Sequence, residues 1–273
     1  MTKEKTKIGL YGFGYVGKAM YEFLKDHYEV VIFDPGYPEY SDMKRLAPLS
    51  HALICVPTPM NEKDGSCDTS IVENILKSTK HKYYLIKSTV VPGTTARLVK
   101  ETKKTIAFSP EYIGEGKYEI PFWLDLPHPT NMKLHTFHIF GGSKDATKPW
   151  VEIWQKIAGW TARFMQSDST TVELVKYMVN SYGATKVTFC NEFFDIAQSL
   201  GVDYNELKEL WLLDGRIGRS WTMVFPDKRG FGGKCLPKDV NGIVKNSEKQ
   251  GYSADLLKSV LKTNKKFRGN DLS

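Results

Sequence analysis

The sequence predicts an α/β fold: an N-terminal, doubly wound parallel sheet, then a long central helix and a small all-helical domain. Three observations carry the prediction. Short apolar runs alternate with helix-like stretches through the first part of the chain. A glycine-rich turn, Gly12-Phe13-Gly14-Tyr15-Val16-Gly17, joins the first run to the first of those stretches. Near residue 167 the texture changes and helical periodicity takes over.

Taken in order, residues 7–13 form a short apolar strand and residues 16–26 a helix. Residues 29–33 form a second strand, closed by Asp34-Pro35-Gly36. Residues 51–56 form a third, stopped by Pro57-Thr58-Pro59, because proline cannot donate to a sheet ladder. Residues 83–87 and 105–109 add a fourth and a fifth, and 137–140 and 163–165 two more. Apolar strands separated by helices belong in a parallel sheet covered on both faces. Ser167-Asp168-Ser169-Thr170 offers N-cap residues for a helix over 171–200 that stops at Gly201. Its length suits a spine between two domains, 1–167 and 168–273. A helix over 204–214 follows, then a Gly-, Arg- and Pro-rich ordered loop over 215–235. Helical segments over 239–249 and from 254 onward complete the chain.

Composition narrows the class. The 273 residues are 41% hydrophobic and 25% charged, an ordinary balance for a soluble globular protein. No apolar run approaches a bilayer span and no signal-peptide pattern opens the chain, so a cytoplasmic setting with no membrane partner is expected. The net charge of +7 is spread along the chain, apart from Lys262, Lys265, Lys266 and Arg268. A nucleic-acid partner is therefore not expected, whereas a mild positive field suits small anionic ligands. Cys55, Cys67, Cys190 and Cys235 are spaced by 12, 123 and 45 residues, with no CxxC pair. Neither a metal site nor a disulfide framework is expected.

The glycine turn is a GxGxxG in the context a dinucleotide fold requires, after a strand and before a helix. Gly12 permits the tight turn, Gly14 lets a pyrophosphate approach the backbone, and Gly17 lets helix and strand pack closely. The helix N-terminus presents free N–H groups to the anion. Asp34 lies 22 residues after Gly12, where a carboxylate accepts hydrogen bonds from ribose hydroxyls and repels a 2′-phosphate. The expected domain is Rossmann-like and its cofactor NAD, not NADP.

Four further segments carry chemistry. Residues 87–94, with Ser88 and Thr89, follow a strand, where ligands bind in open parallel sheets; the same residues also suit a polar turn that caps a helix at Thr94 or Thr95. Residues 109–115 place Glu111 and Glu115 after the next strand, and a carboxylate there is a candidate base. Lys176 and Asn180, at i and i+4 of the long helix, share one face and offer two donors to a developing oxyanion. Residues 230–239 surround Cys235 with glycines and with Lys234 and Lys238, which favour a thiolate. A buried, inert cysteine suits Cys55 and Cys190 better.

These segments, with Val56-Pro57-Thr58-Pro59, Asn191-Glu192 and Arg216-Ile217-Gly218, occur in an order that resembles the UDP-glucose/GDP-mannose dehydrogenase family. The resemblance implies a four-electron oxidation of a nucleotide sugar's primary alcohol to a carboxylate with two NAD, UDP-glucose giving UDP-glucuronate. It implies that Lys176 and Asn180 hold the reacting oxygen, and that Asp239 and Thr89 assist the first proton removal through a water. Cys235 then captures the aldehyde, and Glu111 activates the water that releases the thioester. It places Gly12, Phe13, Gly14, Tyr15, Val16, Gly17, Asp34, Val56, Pro57, Thr58, Ser88, Thr89, Glu115 and Lys238 around NAD. It places Glu111, Tyr112, Ile113, Lys176, Asn180, Arg216, Phe231, Gly232, Gly233 and Cys235 around the UDP-sugar, Arg216 across the interface of a homodimer. Family members normally carry a second dinucleotide-type domain, so this chain reads as a natural short form or a fragment. Residues 221–229, with Lys228 and Arg229, resemble an insertion expected to touch the substrate. Alternative readings are another nucleotide sugar (a UDP-N-acetylhexosamine or GDP-mannose), or a non-catalytic NAD-binding protein. A 3-hydroxyacid or 6-phosphogluconate-type dehydrogenase also shares the long helix, but has no use for the Cys235 loop.

Overall fold

The computed structural model describes residues 6–61, 63–113, 131–159 and 161–269. The chain divides into two compact units, residues 1–59 with 68–176, and residues 60–67 with 177–273.

The first unit is built on a seven-stranded sheet in the order β2-β1-β3-β4-β5-β6-β7. Its strands are β1 Lys7–Tyr11, β2 Glu29–Phe33, β3 His51–Ile54, β4 Tyr83–Ile86, β5 Ile106–Phe108, β6 Phe137–Gly141 and β7 Arg163–Ser167. Successive strand residues point to opposite faces, so each strand feeds two cores. Leu10, Leu53, Leu85 and Ala107 meet α1 (Tyr15–Leu24) and α4 (Lys144–Ala158) through Met20, Phe23, Trp150 and Trp154. Tyr11, Ile54, Ile86 and Phe108 meet α2 (Ser70–Ser78) and α3 (Thr94–Thr102) on the other face. The expected doubly wound α/β architecture is present.

One pairing departs from the expected parallel sheet. β5 and β6 are antiparallel, in register at Phe108 and Gly141. The right-handed crossover rule governs parallel neighbours only, so it sets no constraint on this pair. β6 and β7 are parallel again, with α4 as their crossover.

The long helix α5 spans Ser169–Ser199, and Asp168 caps it by accepting from the Thr171 N–H at 2.9 Å. The second unit takes α5 from Tyr177 onward, α6 (Tyr204–Trp211), α7 (Cys235–Lys249) and α8 (Asp255–Arg268). Ala184, Phe231, Val240 and Val260 form one of its small cores, and Cys190, Ala197 and Tyr204 another. A short turn over 60–67 also belongs to this unit, its ends bridged at Met60 and Cys67. Among the described residues no helix is long and apolar enough to cross a membrane.

Candidate active site

In the first unit the glycine turn has the geometry its sequence demands. Gly12 has φ +90, and a Cβ there would stand 2.6 Å from the Cys55 carbonyl oxygen. A Cβ on Gly17 would stand 2.1 Å from the Gly12 oxygen. Gly14, the N-cap of α1, has nothing within 4 Å of its ideal Cβ, and no side chain caps the helix. Open space therefore fronts the first-turn N–H groups, which suits a pyrophosphate. Asp34 Oδ2 accepts from the Phe13 N–H at 2.6 Å, and Oδ1 from Gly36 at 2.8 Å. A carboxylate has about four acceptor positions, so capacity remains for ribose hydroxyls. Phe13 packs edge-on against Tyr21, Tyr37 and Tyr40 while Tyr15 is exposed. These features fit NAD.

The loops after β3 and β4 are tied to each other. Thr58 Oγ1 donates to the Thr89 carbonyl at 2.7 Å, and Ser88 Oγ to the Val56 carbonyl at 2.7 Å. α3 begins at Thr94, and the carboxylate of buried Glu173 on α5 caps it, accepting from Gly93 at 2.6 Å and Thr95 at 2.8 Å.

Glu111 and Lys176 form a buried pair in this unit. Lys176 Nζ lies 3.0 Å from Glu111 Oε1 and donates to the Glu111 carbonyl at 2.8 Å. Glu111 Oε2 accepts from the Ile113 N–H at 2.7 Å. The Tyr112 ring lies 5.8 Å from Lys176 Nζ; burial, then the Glu111 charge, pushes its hydroxyl up to about 12. Glu115 lies outside the described residues.

Sequence reasoning passed over Lys87, which follows β4. It is 2% exposed and donates to the Pro110 carbonyl at 2.9 Å and to Ser109 Oγ at 3.2 Å. Burial pulls its ammonium down to about 8. In sequence a lysine beside Ser88 and Thr89 reads as part of a polar turn, and only burial separates it from one.

In the second unit Asn180, Asp239 and Lys238 form a chain. Asn180 Nδ2 donates to Asp239 Oδ2 at 2.5 Å, and Lys238 Nζ reaches Asp239 Oδ1 at 2.5 Å. Asp239 is buried. Burial pulls Lys238 down, but Asp239, Cys67 and Cys235 outweigh it and hold the ammonium above its ordinary value. Cys235 is the first residue of α7, four residues before the helix was expected to begin. Pro237 explains the difference, because proline is tolerated in a first turn whose N–H groups have no partner within the helix. Of the four cysteines only Cys235 is not buried, and burial pushes the Cys55 thiol up to about 12.

The Cys235 loop is fixed from below. The Phe231 N–H donates to Asn264 Oδ1 at 2.7 Å, and Gly230 donates to Asn191 Oδ1 at 3.0 Å. The Phe231 side chain, expected against the sugar, is buried in the small core. A Cβ on Gly232 would stand 2.7 Å from the Arg268 guanidinium, which would have to move aside; Gly233 has nothing within 4 Å. Arg229, expected to touch substrate, is committed elsewhere. It donates to Asn191 Oδ1 at 2.7 Å, pairs with Asp195 at 2.8 Å and stacks on Phe194. Arg216 is exposed and pairs with Asp214 at 2.5 Å. Among the described residues no His, Cys, Asp and Glu cluster is placed to hold a metal.

A strand–glycine turn–helix with an acid after the second strand defines a dinucleotide-binding domain, here in a chain whose other unit opens a helix on a thiol. The chain belongs to the UDP-glucose/GDP-mannose dehydrogenase family, whose NAD binding domain matches residues 39–120 and whose central domain matches residues 170–266. It is 32% identical over 224 residues to the UDP-glucose 6-dehydrogenase of Rickettsia prowazekii, covering 78% of this chain and 48% of the relative. It is 29% identical to the GDP-mannose 6-dehydrogenase of Pseudomonas savastanoi, covering 84% of this chain and 53% of that one. The solved UDP-glucose dehydrogenase of Pyrobaculum islandicum superposes with a TM-score of 0.80 at 26% identity, covering 97% of this chain and 69% of that one. The chain spans about half the length of the curated relatives it matches.

Proposed function

We propose that this chain oxidises the primary alcohol of a nucleotide sugar to a carboxylate, with UDP-glucose as substrate and Cys235 as nucleophile. The observation that carries the proposal is the position of Cys235: a half-buried thiol at the first turn of α7, three residues from a lysine held cationic. A helix N-terminus and a nearby ammonium both favour thiolate over thiol.

Residues 12–17, Asp34, residues 56–58, Ser88, Thr89 and Lys238 would hold NAD, which would supply a hydride acceptor for each of two oxidations. In the first, the sugar hydroxyl gives its proton to a water held by Thr89 and Asp239, and the carbon becomes an aldehyde. Lys176 and Asn180 donate to the reacting oxygen as its charge develops. The Cys235 thiolate then adds to the aldehyde carbon, which keeps the aldehyde from solvent. Loss of a second hydrogen with its electron pair turns the thiohemiacetal into a thioester. Water activated by Glu111 attacks the thioester carbon, the C–S bond breaks, and the thiolate is restored with the carboxylate product.

The test is a count. With excess NAD and limiting UDP-glucose, two NADH form per sugar consumed, and Cys235→Ser abolishes that stoichiometry while NAD binding persists. Two NADH per sugar from GDP-mannose and none from UDP-glucose would reassign the substrate. No NADH from either, with NAD bound, would overturn the proposal.

A further inference from the structure

The sheet's central strand ends meet at Lys87, and the dinucleotide turn and the Glu111–Lys176 pair leave its function open. Cys55 follows β3, Lys87 follows β4, and Ser109 and Pro110 follow β5. The Lys87 ammonium donates to both Ser109 Oγ and the Pro110 carbonyl, one residue before Glu111. Lys176 grips the next carbonyl, that of Glu111 itself. Two buried lysines thus clamp successive carbonyls of the turn that carries one carboxylate.

We propose that Lys87 is a positioning residue for Glu111: its ammonium locks the 109–111 turn and so fixes the Glu111 carboxylate for thioester hydrolysis. The inference rests on the reading of Glu111 as the hydrolytic base. Burying a lysine is unfavourable, and a carbonyl alone is satisfied by far less than an ammonium. A charged donor at a fixed point makes stronger, shorter bonds than a neutral one, and positional precision is what a base needs.

The groups facing the ammonium are Cys55, Ser109, Glu111, Lys176 of α5, His138 of β6 and the Trp154 ring of α4, whose centroid lies 5.9 Å away. Burial pushes Cys55 up to about 12 and His138 down to about 3, so neither changes charge near pH 8. Lys87, pulled down to about 8, does. It is charged below that pH and neutral above it, so the lock weakens as pH rises.

The reporter is the Ile113 amide, which donates to Glu111 Oε2 at 2.7 Å. Its hydrogen exchange, corrected for intrinsic rate, is followed by NMR from pH 7 to 9.5 in the full chain and in the Lys87→Met and Lys87→Arg variants. In the unmodified chain, protection falls at least tenfold across that range. Lys87→Met is weakly protected throughout and pH-independent, with kcat at least tenfold lower and KM for NAD unchanged. Lys87→Arg, which stays charged, keeps its protection to pH 9.5. Identical exchange profiles in the unmodified chain and Lys87→Met overturn the proposal. If Lys87→Met does not fold, an alkaline loss of protection persisting in Lys87→Arg overturns it instead. Glu111→Gln separates the underlying reading: a burst of NADH followed by slow turnover supports Glu111 as base. Unchanged turnover removes that role and the proposal with it, whatever the exchange shows.

Discussion

Cys235 and Lys238 carry opposite charges only if the thiol ionises near neutral pH, and one side chain then controls the other. Lys238 is held above its ordinary value by Asp239, Cys67 and Cys235 despite its burial, so it stays cationic through the range in which a thiol titrates. Removing its charge as Lys238→Met raises the pH midpoint of Cys235 alkylation by iodoacetamide, by about one unit or more. The rate at pH 7 falls accordingly, because the thiolate is the reacting species. An unchanged midpoint would mean that the ammonium acts on Asp239 alone. Much of this site was legible in the sequence, since glycines and lysines around one cysteine leave few roles for a thiol. Arg229 shows the opposite case. Its charge suggested a ligand, but its partners Asn191 and Asp195 lie 38 and 34 residues earlier, and only the folded helix brings them within reach. Lys87 was hidden for the same reason, because burial is a property of the whole sheet and not of a tripeptide.

At the scale of elements, periodicity was a sound guide to strands and a weaker one to how helices begin. Leu10 and Tyr11, or Leu85 and Ile86, already show neighbouring apolar residues that a two-faced core must divide. No local signal told that β6 would run antiparallel to β5, since that depends on the path of the intervening chain. The start of α3 is also settled at a distance. Its N-cap, Gly93, has no side chain to offer, and Glu173 supplies the acceptor from α5, 80 residues on. That carboxylate satisfies two N–H groups at once and lies against the positive end of the helix. Glu173→Ala leaves one buried donor, at Thr95, and one half-buried donor, at Gly93, without their acceptor, which costs on the order of 2–3 kcal/mol. Urea denaturation reads the loss as a lower midpoint with an unchanged slope. A midpoint within error of the parent's would show that water replaces the carboxylate without penalty.

At the scale of the molecule, apolar surface among the described residues runs along α5 and onto Leu200, which follows it. Met178, Tyr182, Phe189, Phe193, Ile196 and Leu200 are all at least 40% exposed, at spacings close to multiples of a helical turn. A contiguous exposed stripe of this kind marks an interaction face, and a helix stripe pairs readily with its own copy about a two-fold axis. We propose that the homodimer implied by the family resemblance uses this stripe as its interface, in which case the chain sediments as a dimer at micromolar concentration. Met178 and Leu200 are the best probes, at 73% and 72% exposure, because a charge at so exposed a position changes monomer stability by only about 0.5 kcal/mol. The double change Met178→Glu and Leu200→Glu should therefore give a folded monomer. Under C2 symmetry each substitution enters the interface twice, which amplifies its effect on association without changing the fold. Such a dimer would also bear on the proposed activity. Arg216 is 87% exposed, and the family resemblance implies that it serves a partner's substrate. Arg216→Ala and the dimer-breaking pair should then raise the KM for the sugar by similar factors, and combining them should add little, because both remove one interaction. Fully multiplicative effects would separate Arg216 from the interface, and a parent chain that sediments as a monomer would leave the α5 stripe to some other partner.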